Sequence, residues 1–188
     1  MSDKKGTIKV QTGDILPIIK KWLYSEHDIF IRELVANSTD AVTKRGTLAR
    51  TKNQEIPTGK IQINVNKENN YITIQDNGLG MTEEEVEKYI AQLAFSGAQE
   101  FVQKLEENGD TKDDIIGKFG LGFYSVFMVS DNVVVESLSM EEGSKAVKWT
   151  CEGDSEYTFS ESDLKEVGTK ITLHINKDGE EFLSPFKL

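Results

Sequence analysis

The chain has 188 residues, 37% of them hydrophobic and 29% charged, enough for one domain with a sizeable core and too few for two full ones. A formal net charge of −10 and a pI near 4.8 exclude the basic footprint of a phosphate-backbone binder, so no nucleic-acid partner is expected. The sole cysteine, Cys151, excludes an internal disulfide and a cysteine-rich zinc site.

In chain order, the opening "MSDKKGTIKV" carries no apolar signal core, and nowhere is there an apolar run of about 18 residues. No membrane partner is expected, and the expected compartment is the cytoplasm. Apolar residues at helical spacing predict a helix in "ILPIIKKWLY" (15–24) and another in "SEHDIFIRELVANSTDAVTKR" (25–45), where Ser25 and Asp28 have the spacing of a capping box. "TLARTKNQEIPTGK" (47–60) mixes charge, Pro and Gly and reads as an exposed connection. "KIQINV" (60–65) and "YITIQ" (71–75), joined by "NKENN", read as a hairpin. Thr82 and Glu85 form a second capping-box signature ahead of "EEVEKYIAQLAF". "EENGDTKDD" (106–114) is another exposed connection, and a further helix is expected after the glycines of "GKFGLGFYSVFMVS" (117–130). Four late strands follow in "NVVVESL", "KAVKWTC", "EYTFS" and "TKITLHI". Partial segregation of helices and strands, without regular βα alternation, predicts an α+β fold. Its form is a two-layer sandwich, a mixed but mostly antiparallel sheet covered by helices on one face.

Three stretches carry chemistry. On the helix at 25–45, Glu33, Asn37 and Asp40 fall within about 60° of one another at 100° per residue. Ile31, Leu34, Val35, Ser38, Ala41 and Val42 lie on the other side. Such a stripe is either a solvated face or, with Ile29 and Ala36 as apolar borders, one wall of a cleft. In "TIQDNGLGMTEEEVEKY" (73–89), Asp76 follows a strand and would be costly to bury without a partner. The exocyclic amine of adenine would provide one, with Gly78 and Gly80 admitting a flat ring close to the backbone. Alternatively, Asp76 caps a turn and the glycines take positive φ. "GKFGLGF" (117–123) has neither Rossmann nor Walker A spacing. It is either an anion-binding loop ahead of a helix or a tight hinge.

These stretches, in this order, resemble the ATP-binding domain shared by gyrase B, the ninety-kilodalton heat-shock chaperone, histidine kinases and MutL. "LYSEHDIFIRELVANSTDA", "DNGLGMT", "GKFGLGFYSVFMVSD" and "GTKITLHI" are most similar to the chaperone branch, and the resemblance spans almost the whole chain. It implies the Bergerat-type fold of that superfamily and a weak Mg²⁺-dependent ATPase binding ATP and ADP. Asp76 would accept from the adenine amine, with Gly80 and Thr169 assisting through water and Met81 packing on the base. Asn37 would be the sole protein ligand of Mg²⁺, within the Glu33–Asn37–Asp40 wall, and Glu33 the general base for the attacking water. Backbone amides around Gly120, Gly122 and Phe123 would cradle the phosphates, and residues 92–122 would form a lid.

Two departures accompany the resemblance. The family's Gly-Thr-Ile-Ala-Lys-Ser-Gly-Thr reads "AQLAFSGAQ" here. Phe95 stands for the usual lysine and Tyr89 for an Asn or Asp, so no contact is carried onto either. The chain also stops at "EEFLSPFKL", before the family domain's last helix and strand and before a middle domain that donates an arginine and a C-terminal domain that dimerises. Residues 1–188 are thus expected to be the ATP-binding domain of a longer, homodimeric, stress-response chaperone acting on client proteins. A kinase or topoisomerase module of the same superfamily is the alternative, although His27 and His174 lie in no convincing phospho-acceptor helix. A non-enzymatic interaction domain with purely structural glycines is the third reading.

Overall fold

The structure, a computed structural model, describes residues 28–92, 122–153, 156–184 and 186–188. The helix expected at 15–24, the connection at 106–114, Ser25, His27, Phe95, Gly120 and almost all of the expected lid lie outside the described residues.

All six expected strands form. They are β1 (Ile61–Asn66), β2 (Tyr71–Asp76), β3 (Ser130–Leu138), β4 (Val147–Cys151), β5 (Tyr157–Glu161) and β6 (Gly168–Ile175). They make one sheet in the order β1-β2-β6-β3-β4-β5, with every pairing among them antiparallel. The last strand in the sequence therefore sits in the middle, joining the early hairpin to the later meander. The hairpin turn is closed by Asn66, whose Oδ1 accepts from the Asn69 backbone at 2.9 Å, and by Asn70 at φ 52°.

Antiparallel register aligns side chains into rows across the sheet. One row runs Val65, Ile72, Leu173, Val133, Cys151, Tyr157, and the next Ile63, Ile74, Ile171, Val135, Trp149, Phe159. Most of these residues are buried and belong to the hydrophobic core. A third row, Ile61, Asp76, Thr169, Ser137, Val147, lies at the end of the sheet. Its three middle members are polar and buried.

Helix α1 spans Ile29–Thr51 and crosses these rows. Phe30 and Leu34 are buried in the core, each contributing roughly 1.5–3 kcal/mol by burial, and Phe30 meets Phe182 edge-on at 5.0 Å. Four residues on, Ser38 continues the same stripe (i, i+4, i+8) and reaches the polar row. The helix starts and ends later than the sequence suggested. Asp28 is its N-cap and makes no side-chain cap bond, in place of the expected Ser25–Asp28 box. At the other end it takes in five residues of the expected connection. Thr43, Thr47 and Thr51 each return a hydroxyl hydrogen bond to the carbonyl four residues back, at 2.8, 3.0 and 2.9 Å, and Asn53 at φ 52° follows the helix end.

Helix α2 (Glu83–Val86) carries the expected capping box. Thr82 Oγ1 accepts from the Glu85 amide at 3.3 Å, and Glu85 Oε2 accepts from the Thr82 amide at 2.9 Å. It continues over Glu87–Gln92 as a wider, π-type turn. The helix expected after the glycines is a seven-residue 3-10 helix, Gly122–Met128, largely buried. Tyr124 Oη donates to the Ile90 carbonyl at 2.8 Å, tying that segment to the end of α2.

Candidate functional site

A cavity of about 500 Å³ opens between α1, the α2 turn, the Gly122–Phe123 segment and the polar row of the sheet, within the size range of small-molecule sites. Glu33, Asn37, Asp40, Asp76, Gly80, Met81, Gly122, Phe123 and Thr169, all singled out from the sequence, line it, whereas Gly78 does not. Gly120 lies outside the described residues.

At the sheet end, Asp76 is 7% exposed. It is not the unpartnered acid that the sequence suggested. Oδ1 accepts from the Gly78 amide at 2.8 Å and Oδ2 from the Ser38 hydroxyl at 3.1 Å. Burial raises its pKa above the ordinary 3.8, and hydrogen bonds from the Gly78 amide, the Ser38 hydroxyl and the Thr169 backbone hold part of that rise back. Asp76 therefore closes an Asx turn, as one reading of the sequence has it, and also lines the cavity.

The two glycines after it serve the protein's own packing. A Cβ on Gly78 would lie 2.6 Å from the Ala41 Cβ and 2.7 Å from its carbonyl carbon. A Cβ on Gly80, which sits at φ 64°, would overlap the Leu138 carbonyl oxygen. The close approach expected toward a planar ring is thus made, at these Cα positions, to α1 and β3. Arg45 secures the turn from α1 by donating to the Asn77 carbonyl at 2.6 Å. Asn77 in turn donates to the Thr58 carbonyl at 2.8 Å and accepts from the Lys60 amide at 2.7 Å.

Toward the other end of α1 the wall is acidic. Glu33 is half-buried, Asn37 is exposed to the cavity, and the exposed Asp40 is paired with Lys44 at 2.5 Å. Gly122 packs directly on the Glu33 carboxylate. Among the described lining residues, Lys44 supplies the positive charge against the carboxylates of Glu33, Asp40, Asp76 and Glu85. No cluster of three or more His, Cys, Asp or Glu side chains able to hold a metal occurs among the described residues. Among the described lining residues, the Asn37 amide offers a single hard oxygen to a divalent cation that arrives with its ligand. That suits magnesium, which keeps most of its waters and relies on substrate phosphates.

Sequence reasoning drew the cleft too narrowly. Ile29 is buried in the core and Ala36 is exposed, and the apolar border is made instead by Leu34 and Ala41. Ser38, assigned to the far side of α1, lines the cavity and bonds Asp76. The cavity thus straddles the boundary between the polar stripe and the buried face. A small polar residue within an otherwise apolar helix face was the signal for Ser38. Lys44, Glu85, Tyr89, Ile90 and Ile171 also line the cavity.

A half-buried acid, an exposed asparagine, a buried polar row and apolar side chains thus surround one cavity. The chain belongs to the histidine kinase-, DNA gyrase B- and HSP90-like ATPase family, whose model matches residues 24–178. It is 49% identical over 187 residues to the chaperone protein HtpG of Porphyromonas gingivalis, covering 98% of this chain and 27% of that protein. To the chaperone protein htpG of Bacteroides fragilis it is 47% identical over 185 residues, again 98% of the chain and 27% of the relative. To the mitochondrial heat shock protein 75 kDa of Bos taurus it is 37% identical over 183 residues, 97% of the chain and 26% of the relative. The chain spans about a quarter of the length of these curated relatives.

Proposed function

We propose that residues 1–188 form the ATP-binding, slowly ATP-hydrolysing unit of a longer molecular chaperone of the heat-shock type, in which nucleotide governs a clamp on client proteins. The observation that carries this reading is one cavity lined by segments as far apart in sequence as Glu33, Asp76, Gly122 and Thr169. The chaperone names of the relatives favour this branch over the kinases and gyrases that share the family.

Asp76 accepts a hydrogen bond from the adenine amine, directly at the buried end of the cavity. Thr169 and Gly80 act there through water, and Met81 packs on the ring. Asn37 offers its amide oxygen to Mg²⁺, whose contribution is to neutralise charge on the phosphates. Within that acidic wall, Asp40 engages Lys44 and keeps it beside the nucleotide. Glu33 orients and deprotonates the attacking water. The amides of Gly122 and Phe123 hold the phosphates. Hydrolysis is slow in this chain alone because the charge-stabilising arginine comes from a neighbouring domain. The full protein works as a homodimer in the cytoplasm and binds neither DNA nor membrane. No helix among the described residues is long and apolar enough to cross a membrane.

Thermal denaturation with and without Mg·ATP tests the reading. Nucleotide at a hundred times its dissociation constant should add about 2.7 kcal/mol of stability. No shift with Mg·ATP or Mg·ADP at millimolar concentration sinks it in favour of a non-enzymatic interaction domain.

A further inference from the structure

Ser137 was not picked out by any motif and does not line the cavity, yet it sits beneath the base end of it. It lies on β3 beside Thr169 of β6, which in turn lies beside Asp76 of β2. Its side chain is fully buried, and its hydroxyl makes three contacts. The Met81 amide donates to Ser137 Oγ at 2.8 Å, Ser137 Oγ donates to the Gly168 carbonyl at 3.1 Å, and Thr169 Oγ1 lies 3.0 Å away.

A serine hydroxyl has one hydrogen and two lone pairs. The Met81 N–H can only donate and the Gly168 carbonyl can only accept. Ser137 therefore gives its one hydrogen to Gly168, and the remaining bond is made only if the Thr169 hydroxyl donates to Ser137. The Thr169 hydrogen is thereby turned away from the cavity and its lone pairs are left facing the ligand. With Asp76 ionised and also acceptor-only, the Asp76 and Thr169 side chains present only acceptors at the base end of the cavity.

Building on the nucleotide reading above, we propose that Ser137 is a positioning residue that sets the direction of the Thr169 hydroxyl. It thereby makes the site select a 6-aminopurine over a 6-oxopurine. An amine at that position donates to the acceptors, or to a water held by them, whereas a carbonyl oxygen meets lone pairs. Without Ser137, the Thr169 hydroxyl is free to rotate and donate to the carbonyl.

Calorimetric titration of the 188-residue chain with Mg·ADP and Mg·IDP reads this directly. The wild-type chain should prefer ADP. Ser137→Ala should narrow the ADP:IDP preference about three- to tenfold, the size of one hydrogen bond, with IDP binding held or improved. Thr169→Val should narrow the preference similarly, and adding Ser137→Ala to it should change the ratio no further. A merely structural Ser137 would weaken both nucleotides alike, and an unchanged ratio in Ser137→Ala overturns the proposal. Should Ser137→Ala fail to fold, Thr169→Val decides by itself, since an unchanged preference there is equally fatal. If Asp76→Asn abolishes discrimination while Thr169→Val does not, base recognition stands and the role of Ser137 is refuted. If the wild-type chain binds neither nucleotide, both readings fall together.

Discussion

The Cα of Gly122 lies against the carboxylate of Glu33, so closely that a Cβ at position 122 would overlap Glu33 Oε2 and come within 2.7 Å of its Cδ. The far end of a flexible side chain can swing aside, so Gly122→Ala should leave folding nearly unchanged but displace the carboxylate. Misplacing a catalytic group by about 1 Å costs on the order of 10²-fold. Gly122→Ala is therefore expected to lower steady-state ATP hydrolysis about 10- to 100-fold with nucleotide affinity largely kept. Glu33→Ala sets the floor, retaining binding and removing residual hydrolysis. If Gly122→Ala hydrolyses normally, or Glu33→Ala loses binding and hydrolysis together, the general-base assignment is wrong.

Asn37 is exposed to the cavity one helical turn beyond Glu33. Asn37→Ala should remove the increment in ADP affinity that Mg²⁺ provides, while binding measured in chelator should match the wild-type chain. A variant that loses metal-free affinity to the same degree would show Asn37 to be a base- or fold-supporting residue.

Burial raises the Asp76 pKa above 3.8, so the folded chain holds this proton more tightly than the unfolded chain. That contribution to stability is fully present below pH 3.8 and is lost as pH climbs through the folded pKa. Nucleotide binding runs the other way, because the adenine amine needs the ionised acceptor. Affinity should rise with pH through that raised pKa, with protons released on binding where the free chain still holds the Asp76 proton. Asp76→Asn should abolish the pH dependence, keep or raise the melting temperature of the ligand-free chain, and cost about 10- to 100-fold in affinity, as expected for a hydrogen bond to a charged group. Calorimetry in buffers of different ionisation enthalpy measures the proton release; its absence in the wild-type chain counts against Asp76 as the base reader.

Gly80 combines φ 64° with a Cα that faces the Leu138 carbonyl oxygen. Gly80→Ala incurs about 1–2 kcal/mol for the left-handed backbone alone, and the overlap is with main chain that cannot swing aside. A loss of more than about 2 kcal/mol in urea unfolding is expected. A loss under 1 kcal/mol would mean the turn relaxes without strain.

Much of the fold could be read locally. The six strands carry their own β-branched and aromatic alternation, and the Thr82–Glu85 cap needs only residues three apart. The extension of α1 to Thr51 was not legible because residues 47–51 look like loop by composition, and the burial of Ala49 that holds the last turns against the fold is a tertiary contact. At the site, Glu33, Asn37 and Asp40 follow from helical spacing on one face, Asp76 and Gly80 from an acid and glycines after a strand, and Gly122 from a glycine-rich loop, while Met81, Phe123 and Thr169 came through the family resemblance. Ser38 showed only as a small polar residue on an apolar helix face, and Ser137 remained hidden, since a lone buried serine in a strand leaves no pattern behind it.

Local sequence thus specified which segments become strands, where α2 is capped and which residues share the polar stripe of α1, because these depend on neighbours within one helical turn or one pleat. Strand order and register were settled by the packed molecule. Insertion of β6 between β2 and β3 brings Asp76, Thr169 and Ser137 side by side, and α1 lays Ser38 against them. Those contacts join residues more than thirty positions apart. Their partners are chosen by burying two apolar rows of the sheet beneath Phe30 and Leu34, which leaves the third row polar and open to a ligand.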